Sequence, residues 1–188
     1  VSSHDVAGLV RQLRESMIPV PTAVDVVRSG HVTARGIVAG SIGEPVVDLL
    51  VSASDVAAGD VDAIQVAGAV HADRRQIVLK PLAVKTAAGH LEMRGRIGFV
   101  PMESTGEFDV RIDGPGRLAP MVPADWRPTG SISAQGSWSG RLDRPRVSAR
   151  LTGEELFANG LYFESLAGDV ELVDDELLVH DVRLSQPD

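Results

Sequence analysis

The chain predicts an all-β fold, mainly antiparallel and built from a repeat, and three observations carry that reading. Apolar and polar residues alternate with period two over most of the length, the pattern of half-buried strands. Turn chemistry separates the alternating runs at short intervals, and strands joined so closely pair antiparallel, because a parallel crossover needs about a dozen residues or more. The chain also repeats itself. Gly30, Ala34, Gly36, Gly40, Pro45, Val47, Ala58, Ala67, Gly68 and Val70 recur one hundred positions later as Gly130, Ala134, Gly136, Gly140, Pro145, Val147, Ala158, Ala167, Gly168 and Val170. A fixed period with so little chemistry in it marks a structural unit stacked on a copy of itself.

The first segment reads as a helix from Asp5 to Met17, with Val6, Leu9, Val10, Leu13 and Met17 at helical spacing and Ser3 as its N-cap. Pro19 and Pro21 end it. A shorter counterpart lies within Arg117 to Trp126, where Pro120 and Pro123 restrict it to a turn or two near Leu118 to Met121. Strands occupy the runs between. Leu91, Met93, Ile97 and Phe99 share a face opposite His90, Glu92, Arg94 and Arg96. Phe108, Val110 and Ile112 oppose Glu107, Asp109, Arg111 and Asp113. Ile132, Ala134 and Trp138 oppose four polar residues between Ser131 and Ser137, and Val147, Ala149 and Leu151 oppose Ser148, Arg150 and Thr152. Further strands are expected at Val47 to Val51, Val61 to Val70, Ile77 to Val84, Leu161 to Leu172 and Leu177 to Leu184. The expected organisation is one repeat unit over residues 1–100 (helix, then strands) and a second over 101–188 (strands, short helix, strands), sharing one continuous sheet. Val1 and the unfinished pattern at Ser185 to Asp188 read as an excerpt of a longer chain.

Composition narrows the function. Apolar residues make up 44% and aromatics only 4%, so the core is broad and thin. A net charge of −8 with scattered arginines argues against nucleic acid, whose binders cluster cations. The absence of cysteine excludes disulfides and thiolate metal sites. His4, His31, His71, His90 and His180 show no metal-binding spacing. His180 shares an expected face with Leu178, Val182 and Leu184, which makes it an inward or rim histidine. Gly136-Ser137-Trp138-Ser139-Gly140 has the outline of a nucleophile elbow but centres on Trp, and Asp60-Val61-Asp62 and Asp174-Asp175-Glu176 lack a calcium-loop framework. No enzyme and no cofactor are expected. A sheet of ten or more strands has an apolar face too large for two short helices to cover. It closes on itself as a sandwich or solenoid, or curls into an open trough that awaits an apolar ligand.

The order of elements from Arg117 to Leu184 resembles the repeat of the TamB and AsmA-like proteins of the Gram-negative envelope. It runs from the proline-bearing helix Leu118 to Trp126, through Gly130, Gly136 and Gly140, to Leu142-Asp143-Arg144-Pro145, the Asn159-Gly160 turn and two strands split by Asp174-Asp175. The stretch from Asp5 to Val84 is similar to the same repeat with a longer helix. The resemblance implies a curled, taco-shaped sheet with an open apolar groove. It further implies a periplasmic location, a parent chain anchored in the inner membrane, phospholipid as ligand and an Omp85-type outer-membrane partner. The groove lining would then be Leu91, Met93, Ile97, Phe99, Phe108, Val110, Ile112, Ile132, Trp138, Val147 and Leu151. The alternative is a structural or assembly scaffold whose trough is closed by its own strands and whose edges bind β-rich outer-membrane proteins.

Overall fold

A computed structural model describes residues 2–3, 27–41, 43–58, 61–114, 129–158, 160–174 and 176–186. Both expected helices lie outside them. The described residues form one sheet of eleven strands. They are β1 (Ser2–Ser3), β2 (Val27–Ser41), β3 (Glu44–Ala58), β4 (Val61–Ala72), β5 (Gln76–Thr86), β6 (Gly89–Gly98), β7 (Glu103–Asp113), β8 (Thr129–Arg141), β9 (Arg144–Ala158), β10 (Leu161–Val173) and β11 (Glu176–Ser185). Spatial order follows chain order from β1 to β11, so the sheet is open and does not close into a barrel. Each strand pairs antiparallel with the next, as short turns require at every connection but the longer ones between β1 and β2 and between β7 and β8.

The hundred-residue period holds in the register. Ala34 opposes Val51 and Val51 opposes Gly68; Ala134 opposes Leu151 and Leu151 opposes Gly168. Strands β2 to β5 thus recur as β8 to β11, with the β6–β7 hairpin between them and paired to both.

Irregularities repeat as well. In β3, Asp55 and Val56 together face the single residue Gly30; in β9, Glu155 and Leu156 face Gly130. Asp55 and Glu155 adopt left-handed backbone, at φ 53° and 51°, as the first residue of such a bulge can. A Cβ on Gly30 would lie 2.7 Å from the Val56 side chain, so the bulge needs glycine opposite it. A second bulge interrupts β5 between Leu79 and Leu82 and recurs in β11 at Asp181. Pro81 is tolerated inside a sheet because it occupies the bulge, where a ladder hydrogen bond is already missing.

Tight turns close the hairpins. Asp73 Oδ1 accepts from the Arg75 and Gln76 amides at 2.6 and 2.9 Å, which satisfies the β4–β5 turn. Those amides, Arg75 foremost, hold the Asp73 carboxyl below the usual carboxylate range. A lowered native value contributes stability that is complete above the unfolded pKa of about 3.9 and is lost as pH falls through the native one. The denaturation midpoint of the wild type is therefore expected to exceed that of Asp73→Ala at neutral pH, with the two converging in acid. A pH-independent difference in urea midpoints would contradict this.

Candidate functional site

Directly opposed residues of antiparallel strands share a face, so the register traces rows across the sheet. Leu91 lies opposite Val84 and Val110, and that row continues through Ala134 to Leu151. Met93 opposes Leu82 and Phe108; Ile97 opposes Ile77; Ile112 opposes Ile132; Trp138 opposes Val147. Ten of the eleven expected lining residues therefore stand on one face of β6 to β9, all half-buried. Phe99 is the exception in place. It follows the end of β6, donates its amide to the Arg75 carbonyl at 2.8 Å and is 37% exposed beside Pro45 and Val46.

The face extends beyond the expected residues. Val32, Ala53, Val66 and Val84 carry the Leu91 row back to β2, and Leu49, Val70 and Leu79 carry the next one. On the other side Leu166, Val170 and Leu172 continue it into β10. These positions are invisible to alternation alone wherever a bulge shifts the parity, and the repeat was the available signal for them.

Trp138 shapes the middle of this face. A Cβ on Gly106 would lie 2.5 Å from the Arg94 carbonyl oxygen and still closer to the indole, and a Cβ on Gly95 would lie 2.8 Å from indole Cζ2. The ring therefore reaches from β8 across β7 to β6, lying flat over two opposed glycines. Phe108 stacks beside it, with ring centroids 6.4 Å apart and planes at 27°. The two largest side chains thus pave the face without standing up from it.

The opposite face is polar and charged from β6 to β10. Cross-strand partners Arg94 and Glu107 meet at 2.5 Å, Arg150 and Asp169 at 3.1 Å, and Gln135 Nε2 donates to Asp109 at 3.3 Å. Being exposed, each such ion pair contributes at most about 1 kcal/mol; their clearer effect is to fix which face meets water. A depression of about 410 Å³ lies among Glu92, Arg94, Glu107, Asp109 and Gln135, together with Pro81, Met93, Phe108 and Gly136. With five charged or polar residues of the charged face in its lining, it is a dimple between ladder side chains on that face.

His180 is a correction. It opposes Asp169 on the charged face, with Nε2 3.7 Å from Glu171, whereas Leu184 opposes Leu166 on the apolar one. The bulge at Asp181 shifts the parity between them, so His180 does not share a face with Val182 and Leu184.

Hydrophobic side chains that are fully buried are few among the described residues, namely Val56, Ala88 and Leu156. No described group of three or more His, Asp or Glu side chains is placed to hold a metal ion. The apolar rows carry aliphatic and aromatic side chains, several glycines and the buried Ser104, and no ionisable side chain, so what they offer is apolar contact. No protein-family model, curated protein or solved structure matches this chain.

Proposed function

We propose that the chain is a non-enzymatic apolar groove that shields phospholipid acyl chains as they pass between the inner and outer membranes. The observation that carries the reading is the apolar face itself. Ten long strands about 4.8 Å apart, sharing about ten residues of about 3.4 Å each, give it roughly 1,500 Å². Apolar patches on monomers usually reach only a few hundred Å², and no second sheet layer covers this one among the described residues. Sheets of this width curl, and a curled sheet with its apolar face inward is a trough. Each methylene moved from water onto the lining gains about 0.8 kcal/mol. With no charged anchor in the rows, and the buried Ser104 hydroxyl turned to the Gly140 carbonyl, neighbouring positions of a chain differ little in energy and the lipid slides.

The likeness of Arg117 to Leu184 to the TamB and AsmA-like repeat supports the same reading. It adds a periplasmic setting, a membrane-anchored parent and an Omp85-type partner for that parent. The test is uptake of a phospholipid bearing a fluorophore on its acyl tail. Incubated with labelled vesicles and separated from them, the chain is expected to carry the label in a roughly stoichiometric complex. Folded protein free of label would reject the conduit and favour the scaffold.

A further inference from the structure

Turns alternate between the two ends of an antiparallel meander, so the β4–β5, β6–β7 and β8–β9 turns stand side by side on one rim of the sheet, roughly 10 Å from one to the next. All three join interior strands. The second and third present apolar side chains to water, with Val100 95% exposed, Met102 58% and Leu142 46%, although turns favour Gly, Pro, Asn, Asp and Ser. Arginines stand beside them. Arg74 and Arg75 occupy the first turn, and Arg141 and Arg144 bracket Leu142 in the third. Of the carboxylates nearby, Asp73 is engaged by the Arg75 and Gln76 amides, Asp143 by Arg141 at 2.9 Å, and Glu103 stands opposite Arg141 across β7 and β8. Neither Arg74 nor Arg75 forms an ion pair with a described residue.

The repeat supplies an internal control. The β10–β11 turn is equivalent to the β4–β5 turn, yet it carries Asp174 and Asp175 in place of Arg74 and Arg75, so the fold does not demand arginine there. With Glu44 in the turn on one side and Asp174 in the turn on the other, cations and exposed apolar side chains coincide only at the middle of the rim. We propose that this part of the rim docks on the surface of an anionic lipid bilayer. Val100, Met102 and Leu142 enter the boundary of the acyl chains, while Arg74, Arg75 and Arg144 lay their aliphatic stems along it and keep their charges at the phosphates. A bilayer suits this patch better than an acidic protein, because the apolar side chains project from separate turn tips and an interface of lipid receives them without a matching shape. The inference rests on the turns and is independent of the apolar face of the sheet.

The chain has no cysteine, so Val100→Cys can carry a single environment-sensitive fluorophore, with Ala87→Cys in the β5–β6 turn of the opposite rim as the reference. Vesicles of phosphatidylcholine and phosphatidylglycerol are expected to shift the emission at position 100 to the blue and to leave position 87 unchanged. Vesicles of phosphatidylcholine alone are expected to give a much smaller shift, and added salt to weaken the response to the anionic ones. Arg74→Gln combined with Arg144→Gln is expected to lower affinity for the anionic vesicles about tenfold to thirtyfold. Lipid entering the apolar face would move neither label, so failure here leaves the conduit reading untouched. No shift at position 100, or an equal shift at position 87, would overturn the proposal. An equal shift with polyglutamate in place of vesicles would overturn it in favour of an acidic protein partner.

Discussion

Val110→Asp is expected to lower phospholipid uptake more than tenfold while leaving the sheet folded. Val110 stands in the row between Leu91 and Ala134, with Phe108 and Ile112 beside it on the same strand face. Bringing an acyl chain over a carboxylate removes water from an unpaired polar group, at a cost of at least about 2 kcal/mol, and each 1.4 kcal/mol is about tenfold in affinity. Folding suffers less, by about 1 kcal/mol, because on an open face water still reaches the new charge. In a sealed core the same charge would cost several kcal/mol and unfold a marginal domain. Asp109→Ser, on the charged face beside Gln135, is expected to change neither uptake nor stability by more than a few tenths of a kcal/mol. Uptake by Val110→Asp at the wild-type level would remove the apolar rows from the account.

Gly106→Val is expected to have the larger effect on the fold, about 1–3 kcal/mol. Its Cβ would meet both the Trp138 ring and, at 2.5 Å, the Arg94 carbonyl, so the indole must lift off the sheet and abandon its stacking on Phe108. In a Trp126→Phe background Trp138 is the sole indole of the two in the chain, and its emission is expected to shift to the red with greater access to iodide. Gly43→Ala is the control, since a Cβ there meets nothing within 4 Å. Unchanged emission from Gly106→Val would mean that the indole does not lie across β7.

Much of this arrangement can be read from residues, and where the reading stops has a physical cause. The strands β6, β7, β8 and β9 show clean alternation where they are regular, and their register places Leu91, Val110 and Leu151 in one row. Strand β3 was expected only over Val47 to Val51 but spans Glu44–Ala58, because the bulge at Asp55 puts Ala53 and Val56 on the same face and erases period two between them. The same shift at Asp181 misplaced His180. Strand β2 was named by no alternation at all, although its equivalence to Gly130 through Gly140 marks it as a strand once β8 is known. The breadth of the candidate face was unreadable for a different reason. It depends on which residues oppose each other across turns, and a one-residue change of register would invert it.

The most direct test of the central claim is a photo-crosslinking amino acid placed at position 110 and, separately, at position 109, in the chain as it is expressed in cells. The two side chains are adjacent in sequence and on opposite faces of one strand, so they differ in face and little else. Lipid adducts at 110 and none at 109 are the expected result. Equal labelling at both, or none at either with the protein folded, would contradict a lipid groove on this face.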